Sequence, residues 1–344
     1  MDTFSQQSLG EASLDHDLEQ SAMLKLATYF HDLATGASQV PSQPLDSHIK
    51  SQIDDPQVLE YHDRLIAGAG PLFSHFLASV PYILEELSRV GVALSRLVSA
   101  NPPLAGQRYS MFEVDGFDGS NGRALAGHSK GLIVSFTCSP NLANQVVFER
   151  HADPAMSYFY PHSFLKVTTD LLQKREYHAF KHGFDFIYEM AAFQFYSRDR
   201  GQQIDHIQRC LKPTGLVFFL EKLNHPDLKE YRRRERVKDE VFKTRYFTED
   251  EIFWKREQML AQMQNGQVSW DELASALSVR FKHVHMLWNS SNFCEFVASN
   301  DTQRIEQFLS LLGPIAQPPG FCFEGPRLGS ASVHHDGSEV TGDV

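Results

Sequence analysis

Near the end of the chain, His283–Trp288 (HVHMLW) and Phe293–Ala298 (FCEFVA) form two β-rich runs separated by Asn289-Ser290-Ser291-Asn292. Four polar turn formers between apolar runs specify an antiparallel hairpin. What precedes the hairpin is different in kind. From about residue 105, short apolar runs alternate with helical stretches, the grammar of βαβ units and a parallel sheet. Strands read at Tyr109–Val114, Leu132–Thr137, Phe164–Val167, Phe184–Glu189 and Gly215–Glu221, with helical connections over 119–128, 140–151, 170–180 and 200–211. Leu211-Lys212-Pro213-Thr214-Gly215 closes the last of these helices, with Gly215 where a left-handed turn is cheap. Five β/α units ended by one hairpin is a restrictive pattern, and most doubly wound dinucleotide folds do not finish that way.

Upstream the periodicity is helical. Phe73, Phe76, Leu77, Tyr82, Leu84, Leu87, Val90, Leu94 and Leu97 sketch an apolar stripe, and no β pattern appears before residue 105. Residues 16–104 therefore read as a helical cap, closed by Asn101-Pro102-Pro103. Residues 1–15 and most of 313–344 are polar, without apolar periodicity, and read as disordered ends. Residues 105–312 carry the α/β domain, interrupted by an insertion over 222–265.

Composition removes several functional classes. With 32 Lys+Arg against 43 Asp+Glu the net charge is −11, which argues against gripping nucleic acid or anionic lipid. The four scattered cysteines offer neither a disulfide framework nor a zinc cage. No signal peptide and no membrane span is legible, so a cytoplasmic protein is expected. G-x-S-x-G, Walker and H-E-x-x-H motifs are missing, which leaves hydrolase, P-loop and zincin readings unsupported.

Phe184-Asp185-Phe186-Ile187-Tyr188-Glu189 and Leu211-Lys212-Pro213-Thr214-Gly215-Leu216 followed by a strand resemble the fourth strand and the L-K-P-G-G turn of class I S-adenosylmethionine-dependent methyltransferases. The resemblance covers roughly residues 105–300. It implies an α/β fold with a seven-stranded sheet, five strands parallel plus the terminal antiparallel hairpin, and an N-terminal helical cap. It also implies S-adenosylmethionine as cofactor and a small-molecule acceptor of the natural-product type, methylated on O or N. The family pattern acid-x-Gly-x-Gly-x-Gly falls on Glu113, Asp115, Phe117 and Gly119, so two of its glycines are replaced, with Gly116 between them. By the resemblance Glu113 supports the cofactor loop, and Gly116 and Gly119 let the backbone approach the cofactor. Thr137 stands where the family carries an acid for the ribose hydroxyls, and Asp170 follows the expected third strand, near the adenine amino group. No metal is implied.

Glu189, at the carboxyl end of strand four, is expected to face the catalytic crevice, and Tyr246 in the insertion is the candidate substrate contact or general base. Phe242, Phe247, Phe253 and Trp254 would join Tyr246 in an aromatic wall for substrate or a sulfonium cation. Glu221 and Lys222 are expected to pair with each other. His178/His182 and His283/His285 read as surface and sheet residues rather than ligands. The basic run Tyr231–Glu240 reads as a solvated helix face with i,i+4 ion pairs, or as a place where arginines hold a substrate carboxylate or phosphate. Two functional readings follow: a small-molecule methyltransferase, or a catalytically inactive methyltransferase-fold scaffold, the second motivated by the altered loop EVDGFDGSNG. A homodimer is expected if the cap leaves an apolar face exposed.

Overall fold

A computed structural model of the chain describes residues 19–38 and 41–324. The expected disorder at 1–15 and at 325–344 lies outside them. Seven strands form one sheet in the order β3-β2-β1-β4-β5-β7-β6. They are β1 (Tyr109–Val114), β2 (Ile133–Cys138), β3 (Ser157–Tyr160), β4 (Phe184–Met190), β5 (Leu211–Lys222), β6 (His283–Ser290) and β7 (Phe293–Ser299). The first five are parallel, and β7 runs antiparallel to both β5 and β6. The hairpin loop is shorter than its four turn formers suggest. Asn289 and Ser290 continue β6, leaving Ser291 and Asn292 as the turn, with Ser291 left-handed at φ 57°.

Two readings are corrected. The third strand is Ser157–Tyr160, seven residues before its expected place, while Phe164–Lys166 makes a 3-10 turn begun by Ser163, whose Oγ accepts from the Leu165 amide. Gly215 is not a helix stop: the connecting helix ends at Gln208, and Leu211 already pairs with Phe184 inside the sheet. The left-handed glycine of this region is Gly183 (φ 83°), which turns the chain into β4.

Helices α1 (Ala27–Thr35), α2 (Pro56–Gly68), α3 (Pro71–Leu77) and α4 (Ile83–Ala100) precede the sheet. The long α4 is more than a cap. Its Leu87, Val90, Leu94 and Leu97 share one apolar cluster with Phe186, Tyr188 and Phe218 of the sheet, so the boundary at 104 does not separate two cores. Within α4, Glu86 and Arg89 make a buried bidentate ion pair at 2.5 and 2.8 Å. The opposite sheet face is filled by Phe112, Phe136, Phe184, Ile187 and Phe219. After β1 and β2 come α5 (Ser120–His128) and α6 (Leu142–His151). After β5, the insertion folds as α7 (Leu228–Arg236), a π-helical continuation Val237–Phe242, and α8 (Glu249–Lys255). Residues 313–324 are also part of the body: the Phe323 and Glu324 amides donate to Asn289 Oδ1 at 2.8 and 2.9 Å. Among the described residues no helix is long and apolar enough to cross a membrane.

Gly91 sets the distance between α2 and α4. A Cβ there would lie 2.2 Å from Cζ of Tyr61 on α2, whose hydroxyl donates to Asn121 at the start of α5. Gly91→Ala is therefore expected to destabilise the fold by about 1–3 kcal/mol through overpacking, read from urea midpoints. In a double-mutant cycle, Gly91→Ala should cost less in a Tyr61→Leu background, where the clashing ring is gone, than in the wild type.

Candidate functional site

In an open α/β sheet, ligands sit beyond the carboxyl ends of the strands. Here the turn after β1 is the most constrained backbone in that region. Asp115, Phe117 and Gly119, the three positions of the family's glycines, all have positive φ, at 47°, 56° and 73°. Left-handed backbone costs an L-residue roughly 1–2 kcal/mol, least for Asp and most for a bulky residue such as Phe. The loop thus keeps the shape that glycines would allow, although two of them are replaced.

Three carboxylates hold this shape. Glu113 is fully buried and accepts from the Thr137 hydroxyl at 2.6 Å. A Cβ on Gly116 would lie 2.5 Å from Glu113 Cβ, and one on Gly122 2.4 Å from Glu113 Oε2, so the turn and the first turn of α5 close directly onto this side chain. Burial pushes the Glu113 carboxyl up to about 7. Asp115 accepts from the Phe164 amide (2.9 Å), the Cys138 thiol (3.2 Å) and the Tyr196 hydroxyl. Burial pushes it up to about 6. Asp118 accepts from Ser120 N at 3.0 Å, as an acid ahead of a helix should, and also from the Gly70 amide at 2.6 Å, which ties the start of α3 to the loop.

A cleft with about 880 Å³ of free space, open mouth included, lies against this loop. At the strand end it is lined by Asp115, Phe117, Ser139, Asn144, Ala191 and Gln194. Phe117 packs on Phe76 and Phe73, at ring separations of 4.9 and 5.6 Å, so its ring belongs to the wall against α3. Ser139 Oγ accepts from Asn144 Nδ2 at 3.0 Å. Gln194 is 1% exposed, and its Oε1 has no hydrogen-bond partner. Met23, Phe30, Leu33 and Leu72 form an apolar wall, and Lys238, Lys243 and Lys255 close the far side.

Several expected site residues lie elsewhere. Thr137 is buried with its hydroxyl donated to Glu113, so it braces the loop rather than facing a ligand. Asp170 is exposed on the short helix Thr169–Gln173, because the third strand ends at Tyr160 and its following loop is 161–163. Glu189 turns to the sheet face away from the cleft and accepts from the Ala192 and Phe193 amides (the latter at 3.0 Å), closing the turn after β4. Burial and the nearby Glu221 raise its carboxyl well above the usual range. Tyr246 lies outside the cleft, in a small pocket beside Asp46 and Glu85; its hydroxyl donates to Asp46 O at 3.1 Å and is pushed up to about 12 by burial, the wrong direction for a base. None of Phe242, Phe247, Phe253 and Trp254 lines the cleft.

Glu221 and Lys222, adjacent in a strand, point to opposite faces: Glu221 pairs with Arg200 at 2.5 Å and Lys222 with Glu235 at 2.9 Å. Two arginines of the basic run, Arg233 and Arg234, are paired with Glu230 and, for Arg234, also with Glu324. Among the described residues no group of His, Cys, Asp or Glu could hold a metal. Reading by spacing missed the lysines and Gln194. Lys238 and Lys243 are five apart, a spacing that aligns side chains only where the helix widens to i→i+5 pairing, as it does at Val237–Phe242.

Because the folded Glu113 carboxyl titrates near 7 instead of near 4.5, the stability it contributes is full below pH 4.5 and is lost as pH rises through 7. Glu113→Gln, which keeps an acceptor for Thr137 without the charge, should escape that loss. The wild type is expected to lose about 3 kcal/mol relative to the variant between pH 4.5 and pH 8, measured by urea unfolding of both. A constant difference across that range would show that Glu113 does not titrate near neutrality.

No protein-family model and no curated protein matches the chain. Among solved structures it is similar to a possible exported protein from Bordetella parapertussis, at 14% identity over 85% of this chain and 87% of that one, with a TM-score of 0.46. It is similar to the plantazolicin methyltransferase in complex with SAH, at 9% identity over 81% and 97%, TM-score 0.42. It is also similar to human N-acetylserotonin methyltransferase in complex with SAM, at 14% identity over 82% and 70%, TM-score 0.38. The strand order β3-β2-β1-β4-β5-β7-β6, with β7 alone reversed against β5, is by itself the class I methyltransferase fold.

Proposed function

We propose that the protein transfers a methyl group from S-adenosylmethionine to a small-molecule acceptor bound in the cleft. The observation that carries this reading is the turn after β1, whose backbone is left-handed at all three glycine positions beside an open cleft. Strain of that kind persists where the surroundings over-determine it, and it clusters at ligand sites. The cofactor's sulfonium supplies the activated methyl group.

The residues present fit the cofactor. Gly119, where a Cβ would lie 2.8 Å from Thr137 Oγ1 and 3.0 Å from Phe148, lets the loop close onto β2 and α6 and so holds its shape beside the cleft. Ser139, just beyond β2, and Asn144 on α6 take the ribose hydroxyls in place of the family's acid. Gln194 Oε1, buried without a partner, accepts from the amino group, and the Asp115 carboxylate favours positive charge nearby. Glu113 and Gly116 act indirectly, by holding the loop. The remaining task of the chain is to line up acceptor and methyl group and to exclude water, which the apolar wall of the cleft serves. Four unpaired thiols, three of them buried, suit a reducing cytoplasm.

A second reading has its own support: Asp115 and Phe117 put side chains where the pattern has none, as a non-catalytic scaffold of this fold could tolerate. Calorimetric titration with S-adenosylmethionine and S-adenosylhomocysteine separates the two. Micromolar binding, about −8 kcal/mol, is expected for both ligands. Gly119→Ala, which adds a Cβ at φ 73°, should weaken binding at least tenfold while the protein stays folded. No detectable binding of either ligand to the wild type would transfer support to the scaffold reading.

A further inference from the structure

The far wall of the cleft holds more positive charge than its neighbours can balance. Lys238, Lys243 and Lys255 are 1%, 1% and 3% exposed. Glu235 accepts from Lys238 at 2.5 Å and from Lys222 at 2.9 Å. Asp239 accepts from Lys243 and from Arg256, both at 2.7 Å. Four cations thus already share two carboxylates. Lys255 has neither: its Nζ lies 2.5 Å from His75 Nε2 and donates to Ser79 Oγ, and among the described residues no carboxylate forms an ion pair with it. A buried ammonium without a counter-charge either sheds its proton or meets an anion. Lysine is otherwise almost never fully buried unless paired. Burial and the other lysines hold Lys255 well below the ordinary lysine range and Lys243 down to about 8, as crowding of uncompensated positive charge requires.

His75, Ser79 and the three lysines all line the same cleft whose other wall is Met23, Phe30, Leu33 and Leu72. A charged corner facing an apolar wall is complementary to one kind of molecule. We propose that the cleft binds an apolar organic acid, its anionic head group held by Lys255 and Lys243 and its apolar body laid along the wall formed by α1 and α3. That such an acid is the methyl acceptor rests on the function proposed above; that it binds rests on the cleft alone.

Titration of the full chain with decanoate, decyl phosphate and decanol, with and without S-adenosylhomocysteine, tests this. Decanoate or decyl phosphate is expected to bind at least tenfold more tightly than decanol, and the tighter of the two identifies the head group as carboxylate or phosphate. Lys255→Met should bring acid and alcohol within threefold of each other, with folding checked by a thermal melt. Should that variant fail to fold, Lys243→Gln serves, with a smaller expected loss of preference. Decanol binding as tightly as both anions overturns the inference on the wild type alone, as does an anion preference that survives substitution of the lysines. If the anion preference is found while S-adenosylhomocysteine does not bind, the acid site stands and the methyl-transfer reading falls.

Discussion

A single carboxylate fastens the ends of four neighbouring strands. Asp115, just past β1, accepts from Cys138 at the end of β2, from the Phe164 amide in the chain that follows β3, and from Tyr196 after β4. Burying a carboxylate is costly, and only several donors converging on it make the arrangement tolerable. Asp is also among the residues least penalised at positive φ, so one side chain satisfies both the turn and the cross-link. The constraint reaches outward. The chain after β3 must bend back to bring Phe164 N within reach, which explains why Phe164–Lys166 is a 3-10 turn and not a strand. The floor of the cleft is therefore set before any covering element is added.

The covering elements attach to this floor differently. On the amino-terminal side, Gly70 N donates to Asp118, Ser120 Oγ to Gly68 O and Tyr61 to Asn121, so α2 and α3 are bonded to the very residues that begin α5. On the other side, α7 is joined to the sheet by Lys222–Glu235 and to the hairpin by Asn292 Nδ2 to Glu235 and Ser291 Oγ to Arg234 O. The hairpin that marks the fold thus has a second role, since its two turn residues anchor the insertion that carries the lysines.

What could be read from the sequence was what repeats. β1, β2, β4 and β7 are apolar runs almost wholly buried, and their patterns, with that of β6 beside β7, survive without knowledge of the rest. β3 was illegible for the converse reason: SYFY is four residues at a sheet edge, three of them only partly buried, while the more apolar FLKV lies nearby. That error carried Asp170 with it. Glu189 and Tyr246 were misplaced because position along a strand or insertion does not say which way a side chain turns. Glu189 sits on the opposite sheet face from its neighbours Tyr188 and Met190. The lysine corner depends on a π-helical widening and on a contact between His75 and Lys255, 180 residues apart, neither of which leaves a periodic trace.

The helix α1 differs from everything else around the cleft. Leu26, Phe30, Leu33, Ala34 and Leu72 form a small apolar cluster of their own, apart from the two that fill the sheet faces. Among its ties to the body are a side-chain hydrogen bond from Asn141 to Phe30 O, the Tyr29–Trp254 ring contact and an edge contact of Phe30 on Phe195. Moving α7 instead would separate Lys222 from Glu235 in a buried setting, at a cost of several kcal/mol. Segments with few buried contacts open first, and Phe30 and Leu33 of α1, with Met23 just before it, form part of the cleft wall. Phe30, Leu33 and Leu72 thus serve twice, once in the cluster that seats α1 and once in the wall of the cleft, so the side chains a bound molecule would touch are the same ones that keep this nine-residue helix in place.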